Sequence, residues 1–307
     1  MRIEYCKVED LNFGDDLNVW LWPKLIPECL GVKDKTALLG IGTILNQRTF
    51  DTNLAGVEKA FIFGSGCAGE QPIIPDHWRV LCVRGPKTAE AVGLDSTLAV
   101  ADPAYLLRAV EMSEVEKQYS IGFMPHHRSE RDLDWKRVCD AAGIRFVSAK
   151  QPVEDAVREI RSCDLLLTEA MHGAIVADAF RVPWVPVFYN PTVSHFKWQD
   201  FAASMQIDLK PVYLPFICER GRDTGRLFER KLKGGAARFG LGPKKWMSYP
   251  VPVRYVKDSD YKLLGDKLLT IAKTERSTLS SDDAVETATS SLLEKVAQLK
   301  GDYLGQK

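Results

Sequence analysis

Short apolar runs alternate with stretches of mixed polarity over the first two thirds of the chain. Continuous apolar runs bounded by glycine, proline or polar residues are typical of buried strands, whereas apolar residues at helical spacing indicate amphipathic helices. A first series predicts the strands Arg2–Tyr5, Thr36–Ile41, Ala60–Gly64 and Trp78–Val83, with the helices Asp16–Cys29 and Pro86–Gly93. A second series predicts the strands Tyr119–Met124, Arg145–Val147, Asp164–Leu167 and Trp184–Phe188, with the helices Glu130–Ala142, Val153–Ser162 and Gly173–Arg181.

Strands that alternate with helices predict an α/β fold, in which helices cover both faces of parallel sheets. Two such series in succession favour two Rossmann-like domains that face each other across a cleft. We expect the first domain at residues 1–115 and the second at residues 116–265, with C-terminal helices at 266–307 that pack on the body. A helical stripe supports that packing, and it consists of Val285, Leu292, Val296 and Leu299.

Composition and charge exclude several classes of protein. Apolar residues make up 45% of the chain and charged residues 27%, as in soluble globular proteins. The 41 basic residues equal the 41 acidic ones, so no overall positive field indicates nucleic-acid binding. No apolar run reaches the roughly 20 residues that span a bilayer, and the polar N-terminus does not resemble a signal peptide. Seven cysteines without a CxxC pair predict reduced thiols in a cytoplasmic protein and no structural zinc site.

Residues 218–246 form a basic excursion from an otherwise neutral chain. They contain nine Lys and Arg against three Asp and Glu, together with several glycines. One interpretation is a solvated loop whose charges pair with acidic side chains elsewhere. The other is a peripheral contact with an anionic membrane, since each Lys or Arg near such a surface adds about 1 kcal/mol of attraction.

A histidine stands at the most informative junction of the chain. The apolar run Cys163–Leu167 leads into Thr168 and Glu169, and His172 and Gly173 then begin an alanine-rich helix. Open α/β sheets bind ligands at the carboxyl ends of their strands, and a helix N-terminus offers unpaired N–H groups to an anion. His172 is therefore a candidate catalytic residue, with a capping or packed histidine as the alternative.

Two acids and two glycines follow earlier strands. Asp15 and Asp16 are candidates for a general base, with helix capping as the alternative. Gly64 and Gly66 allow the backbone to approach a bound phosphate closely, so both are candidates for substrate binding. The sequence lacks the GxGxxG dinucleotide fingerprint with its distant acid, which excludes a nicotinamide enzyme.

Cationic and imidazole side chains follow further strands. Arg84 precedes a Pro-started helix, where a guanidinium binds a carboxylate or phosphate, with a surface salt bridge as the alternative. His126, His127 and Arg128 close the first strand of the second series. Adjacent side chains on an extended segment point in opposite directions, so at most one of the two histidines is expected to face the cleft. Lys197 is a further candidate for an anion pocket, and the spacing of these residues does not assemble a metal site.

Six segments, in this order, resemble the polysaccharide pyruvyl transferase family, most of all its members that pyruvylate bacterial exopolysaccharides such as succinoglycan. They cover roughly residues 10–200 and are NFGDDLN (12–18), FIFGSG (61–66), VRGPKTAEAVGL (83–94), ADPA (101–104), GFMPHH (122–127) and HGAIVADAFRVPWVPV (172–187). The resemblance implies a two-domain fold like that of the GT-B glycosyltransferases. It also implies phosphoenolpyruvate as donor and ketal formation on a sugar.

Residue by residue, the resemblance assigns three functional positions. The arginine of the family's RGP motif falls on Arg84, as a ligand of the donor anion. The histidine of the (S/T)xRLHG motif falls on His172, as the general acid, and Met171 beside it is expected to contact substrate. The downstream lysine falls on Lys197.

One position departs from the family pattern. The arginine two residues before the motif histidine is replaced by Ala170. If that arginine binds the donor's carboxylate or phosphate, another cation must take its place. Arg128 and Arg181 are the candidates.

The resulting prediction is a cytoplasmic enzyme without a cofactor that uses phosphoenolpyruvate and a saccharide acceptor, carried on a polyprenyl diphosphate at the inner face of the membrane. The main rival is a nucleotide-sugar glycosyltransferase on the same scaffold, although the second series shows no acidic motif beyond Glu169. A non-catalytic carbohydrate-binding relative is the other alternative, which the change at Ala170 keeps open.

Overall fold

A computed structural model describes residues 1–31, 35–218 and 256–305 as an α/β fold with two parallel sheets. The first sheet has four strands in the order β1-β2-β3-β4, all parallel. These strands are β1 (Arg2–Glu4), β2 (Thr36–Leu39), β3 (Lys59–Ser65) and β4 (Arg79–Val83). The apolar runs that predict them are buried, as expected for strands covered on both faces.

The second sheet has five strands in the order β6-β5-β7-β8-β9, again parallel throughout. They are β5 (Tyr119–Met124), β6 (Arg145–Phe146), β7 (Cys163–Thr168), β8 (Trp184–Phe188) and β9 (Val212–Tyr213). Strand β5 therefore pairs with both β6 and β7, and the chain changes direction across the sheet at β5. Such a switch point is where open α/β sheets bind ligands.

Helices follow most of the strands. Those in the described ranges are α1 (Phe13–Leu25), α2 (Gln47–Thr52), α3 (Pro86–Ala91), α4 (Trp135–Ala142), α5 (Val153–Arg161), α6 (Met171–Ala179), α7 (His195–Ser204), α8 (Asp258–Thr274) and α9 (Asp282–Leu304). Short 3-10 helices cover Pro27–Cys29, Ser96–Leu98, Pro103–Ala109 and Ser129–Arg131.

The structure confirms the predicted α/β class and every predicted strand to within a few residues. Two differences have a local cause. Helix α4 begins at Trp135 rather than Glu130, because the Asp134 side chain accepts a hydrogen bond from Arg137 N and caps the helix there. Helix α7 was not predicted, since its aromatic, acidic and small residues do not form a clear apolar stripe.

The C-terminal helix packs against the first half of the chain. Helix α9 contacts the 3-10 helix Pro103–Ala109 and strand β4, and the residues of its predicted stripe are buried. Arg79 on β4 donates to Asp302 on α9, with 2.9 Å between Nε and Oδ2. Helix α8 instead packs on α4, beside the second sheet. The two last helices therefore lie against different sheets.

One cluster of buried apolar side chains is continuous between the two halves of the chain. It contains Leu17 of α1, Phe61 of β3, Val157 of α5, Ile175 of α6 and Leu292 of α9. The division into two GT-B-like domains, with their boundaries at 115 and 265, stays a prediction. The predicted basic excursion 218–246 lies outside the described residues, apart from Cys218.

Candidate active site

Strand ends from both sheets converge on one cavity of about 210 Å³. All of these strands are parallel, so their carboxyl ends point to the same side of each sheet. Cavity residues that follow strands β1, β2, β5, β7 and β8 are, in that order, Cys6, Thr43, His126, Glu169 and Asn190. Helices α1, α6 and α7 begin here as well, because in each case a short connection leads from the strand end into the helix.

His172 lies in the first turn of α6 and faces the cavity, with 13% of its side chain exposed. Its imidazole packs directly on the start of α1, where only glycine fits: a Cβ on Gly14 would lie 2.2 Å from Nδ1. On the other side of the ring, Nε2 lies 3.6 Å from Oδ2 of Asp102. The ring is thus held between α1 and the segment before the 3-10 helix Pro103–Ala109.

The two adjacent acids of α1 have different environments. Asp16 turns back on its own helix, and its Oδ2 accepts a hydrogen bond from Asn12 N at 3.0 Å. Asp15 lines the cavity, and its Oδ2 accepts from Asn12 Nδ2 at 2.6 Å. Gly42, at φ +123°, leaves room for Asp15, since a Cβ there would be 3.3 Å from Oδ1. Asp16 therefore caps the helix, and Asp15 is the acid available for chemistry.

The charge of Asp15 is subject to opposing effects. Loss of hydration in the cavity wall raises the pKa of its carboxyl, while the nearby His172 and the hydrogen bond from Asn12 lower it. The net direction is upward. A carboxylate whose basicity is raised by burial is suited to accept a proton.

Lys197 and Arg128 are the Lys and Arg side chains on the cavity wall within the described residues. Burial lowers the pKa of the Lys197 ammonium, and the neighbouring Arg84 lowers it further. Such a cation gains from a bound anion, which offsets the cost of holding its charge. Arg181 points elsewhere: its Nε lies 2.9 Å from Oδ1 of Asp282.

Both His126 and His127 line the cavity, so the prediction that at most one of them would face the cleft is wrong. The segment is not extended, because Ser129 N donates to His126 O at 2.8 Å and closes a turn. The two rings consequently stack with their centroids 4.2 Å apart. Burial lowers the pKa of His126 well below its usual range and that of His127 to about 4, so both rings are neutral at pH 7.

Arg84 lies behind the cavity wall rather than on it. Its side chain is fully buried and pairs with Asp200 of α7, with 2.9 Å between Nε and Oδ2. Its Nη1 donates to Oγ1 of Thr43, which does line the cavity. The residue predicted as a direct donor ligand therefore contacts the cavity only through Thr43 in this structure. Its charge still acts on Lys197.

Gly64 and Gly66 are not on the cavity wall, contrary to their expected contact with substrate. Each allows another group to pack closely on the backbone. A Cβ on Gly64, which has φ +71°, would lie 2.2 Å from Cγ of Pro103, and a Cβ on Gly66 would lie 2.2 Å from the Arg84 guanidinium carbon. Both glycines thus permit close packing. Met171 lines the cavity, and its contact with substrate stays a prediction.

Glu169 organises the cavity and was not among the predicted site residues. It is 1% exposed, and its carboxylate accepts hydrogen bonds from the backbone N–H groups of His126, Tyr189 and Asn190. Burial raises the pKa of this carboxyl, and the bonds from Asn190 and His126 lower it. One side chain thus joins the ends of β5, β7 and β8. The sequence feature that could have identified Glu169 as a site residue is its position directly after strand β7.

Asp102 was also missed as a site residue, although it belongs to the ADPA segment. It is completely buried, and its Oδ1 accepts a hydrogen bond from Ala104 N at 3.0 Å. Its other oxygen faces His172. From the sequence, an aspartate before proline indicates a helix cap. Asp102 does cap the 3-10 helix Pro103–Ala109. The approach to His172, 70 positions later, is visible only in three dimensions.

The cavity therefore combines three imidazoles, the partly buried carboxylate of Asp15, the buried carboxylate of Glu169, two cations and several helix N-termini. This set supports proton transfer next to a bound anion. Within residues 1–31, 35–218 and 256–305, no three His, Cys, Asp or Glu side chains are arranged to hold a metal ion. In the same ranges, no helix has the length and apolar character that crossing a bilayer requires.

Comparison with known proteins adds an independent line of evidence. The family model described as "Polysaccharide pyruvyl transferase" matches residues 73–191. The chain is 36% identical over 219 residues to the succinoglycan biosynthesis protein ExoV of Rhizobium meliloti (strain 1021). That alignment covers 70% of this chain and 68% of the relative. No solved structure matches the chain. The region matched by the family model includes Arg84, Asp102 and His172 and excludes Asp15 and Lys197.

Proposed function

Since the chain belongs to the polysaccharide pyruvyl transferase family, we propose that it transfers a pyruvyl group from phosphoenolpyruvate to a sugar of an exopolysaccharide precursor and forms a ketal. The acceptor class follows the relative, whose name connects it with succinoglycan biosynthesis. A nucleotide-sugar glycosyltransferase is the rival function, and no described feature of the cavity favours it over the family's own activity.

The observation that carries this proposal is the cluster of positive groups around a small cavity. Helices α6 and α7 both begin at the cavity, and neither N-cap side chain, Ala170 or Ser194, accepts a hydrogen bond from its own helix. Their N–H groups and the positive ends of their dipoles are available to an anion. With Lys197 and Arg128 they suit phosphoenolpyruvate, which carries a phosphate and a carboxylate only a few atoms apart.

Arg128 takes over the function of the family arginine that is absent at Ala170. Ala170 lines the cavity with a methyl group and supplies no charge there. Arg128 enters the same cavity from the end of β5, whereas Arg181 is engaged with Asp282. Arg84 supports the anion site from behind, through Thr43 and through its charge near Lys197.

His172 and Asp15 carry the proton transfers. His172 gives a proton to the methylene carbon of phosphoenolpyruvate, which becomes the methyl group. A sugar hydroxyl attacks the central carbon while Asp15 accepts its proton, and the phosphate leaves. A second hydroxyl of the same sugar then closes the ketal. Of the two hydroxyl protons, one replaces the proton that His172 gave and the other leaves with the phosphate.

The acceptor is proposed to be linked to a polyprenyl diphosphate at the cytoplasmic face of the membrane. The proposed enzyme reaches such a substrate by peripheral contact with the membrane. We assign that contact to the basic excursion 218–246 because of its excess positive charge. All but its first residue lie outside the described residues.

The direct test is a cell-free assay of phosphoenolpyruvate with a panel of lipid-linked oligosaccharides. We expect acceptor-dependent release of phosphate, together with a pyruvate ketal on the oligosaccharide by mass spectrometry. Hydrolysis or transfer from a sugar nucleotide, without turnover of phosphoenolpyruvate, would establish the rival function instead.

Two variants separate catalysis from donor binding. We expect His172→Ala to reduce kcat by about 10²–10⁴, the usual contribution of a general acid. Lys197→Ala should mainly weaken donor binding, by about 1.5–3 kcal/mol for a bond to a charged group. Gln199→Ala, an exposed position on the same helix, is the matched control and should behave as wild type. Wild-type turnover in both active-site variants would refute these roles.

A further inference from the structure

The contact between Asp102 and His172 has an unusual feature. Asp102 Oδ2 and His172 Nε2 are both buried, and neither has a hydrogen-bond partner among the described residues. They lie 3.6 Å apart, within ion-pair distance but longer than the roughly 2.7–3.2 Å of a hydrogen bond. Buried polar atoms are almost always paired, so two unpaired atoms that face each other indicate a bond that forms in another state of the protein. Hydrogen bonds in active sites are often long without substrate and shorten when it binds.

Asp102 is held rigidly for such a contact. Its Oδ1 accepts from Ala104 N at 3.0 Å, which fixes the plane of the carboxylate. The next residue, Pro103, packs on Gly64, where even a Cβ would come within 2.2 Å of the proline ring. Only Oδ2 remains free of these constraints, and it points at the imidazole. The carboxylate is therefore preorganised toward one nitrogen of His172.

We infer that Asp102 is a positioning residue for His172: its carboxylate accepts the Nε2–H of the imidazole and leaves Nδ1 as the atom that exchanges a proton with the bound donor. Nε2 is buried, which leaves Nδ1, packed beside the start of α1 where Asp15 lines the cavity, as the nitrogen for that exchange. The neutral ring keeps its proton on Nε2, and the ring that is ready to act carries protons on both nitrogens. Asp102 stabilises that cation by its charge. The inference rests on the proposed role of His172 as general acid.

Substitution of Asp102 by asparagine tests this assignment sharply. The carbonyl oxygen of the asparagine side chain must accept the hydrogen bond from Ala104 N, as Oδ1 of Asp102 does in wild type. Its NH₂ group must then face Nε2, where it donates rather than accepts. We expect the neutral ring to move its proton from Nε2 to Nδ1. The variant thus reverses the tautomer without removing the cap or changing the size of the side chain.

The primary readout is ¹⁵N NMR of histidine-labelled protein without substrate, at a pH where the imidazole is neutral. The chain has five histidines, and the signals of His172 are assigned with His172→Gln. Wild type should show the Nε2–H form, and Asp102→Asn the Nδ1–H form. Asp95→Asn is the matched control, because Asp95 also caps a 3-10 helix through Oδ1 but is exposed. It should leave the His172 signals unchanged.

Kinetics complete the test. We expect Asp102→Asn to reduce kcat by about 10²–10⁴, since an amide in place of the carboxylate that orients a catalytic histidine reverses its tautomer. KM for phosphoenolpyruvate should stay the same, because Asp102 does not line the cavity. A wild-type Nδ1–H tautomer, or an unchanged tautomer in Asp102→Asn, would overturn the inference and leave Asp102 as a cap alone. If the tautomers are as predicted but the protein does not turn over phosphoenolpyruvate, the proposed function is refuted and the contact between Asp102 and His172 stands.

Discussion

At the scale of single residues, burial raises the pKa of both acidic side chains on the cavity wall, Asp15 and Glu169. Glu169 is satisfied by three backbone N–H groups and has a structural role at the strand ends. Asp15 has one hydrogen bond from Asn12 and otherwise depends on His172 and Lys197 to offset its loss of hydration. A carboxylate with few fixed donors is poorly stabilised as an anion, which suits a group that must take up a proton.

Asp15→Asn should therefore increase stability while it removes activity. The folded-state pKa of Asp15 is raised above its ordinary value of 3.8, so its favourable contribution to folding is present below that value and is lost as pH rises through the folded pKa. The asparagine variant has no such loss, and its advantage in Tm over wild type should appear as pH increases and then level off. Activity should fall by about 10²–10⁴ for loss of a general base.

Asp16→Asn distinguishes the two adjacent acids. Asp16 caps its own helix, and an amide oxygen can still accept the hydrogen bond from Asn12 N. We expect activity to be retained in this variant and lost in Asp15→Asn, measured as phosphate release. The opposite order would assign the base to Asp16.

At the scale of secondary-structure elements, the starts of α1 and α6 form one contact. Gly14 belongs to the first turn of α1, and His172 belongs to the first turn of α6. Asn18 fixes α1 to the end of β2, since its Oδ1 accepts from Ile41 N and its Nδ2 donates to Asp15 O. The relative position of His172 and Asp15 is therefore determined by how closely the two helices approach.

Gly14→Ala tests that approach. The added Cβ would lie 2.2 Å from His172 Nδ1, so the imidazole or one of the two helices must shift. We expect a destabilisation of about 1–3 kcal/mol from overpacking, and a loss of about 10²-fold in kcat, since a displacement of about 1 Å is enough to misalign a catalytic group.

The matched control for this substitution is Gly301→Ala on α9. No atom lies within 4 Å of a Cβ built at Gly301. Replacing a helical glycine by alanine should stabilise the protein by about 0.5–1 kcal/mol and leave activity unchanged. Urea denaturation and phosphate release measure both variants, and equal activity of Gly14→Ala and wild type would show that the contact is not required.

At the scale of the whole molecule, the C-terminal helix connects elements that are distant in the sequence. Fully buried Asp178, on α6, accepts hydrogen bonds from Tyr105 Oη, Trp184 Nε1 and Ser280 N. Ser280 lies just before α9, so this network fixes the start of the helix against the second half of the chain. The rest of α9 packs on the first half. Both halves consequently depend on α9 for part of their core.

Leu292→Ala should destabilise the entire fold in one step. Leu292 is completely buried in the cluster shared by both halves, so its truncation should cost about 2–5 kcal/mol. Leu293→Ala on the same helix is the control, because Leu293 is 40% exposed and its loss should change stability by less than about 0.5 kcal/mol. Calorimetry should show a single transition at lower Tm for Leu292→Ala. Two separate transitions would show that the halves unfold independently.

The order of the elements and the ends of the strands follow from the pattern of apolar and polar residues along the chain. Apolar runs such as Cys163–Leu167 and Trp184–Phe188 predict strands because burial on both faces of a parallel sheet leaves no polar positions. The alternation of strand and helix then implies parallel sheets and ligand-binding strand ends. Asp15 and His172 both lie in segments that lead from a strand into a helix, and the family resemblance rests on the same segments.

Which of these side chains meet depends on how the elements pack in three dimensions. Arg84 is paired with Asp200, 116 positions away, and is withdrawn from the cavity wall. Asp102 faces His172, 70 positions later in the chain, although its sequence context indicates only a cap. The spacing of apolar residues indicates which face of a helix or strand is buried, because it depends on the geometry of that segment alone. Contacts between distant segments depend on how helices and sheets pack, and that packing sets which charges are paired, which are buried and which face the substrate.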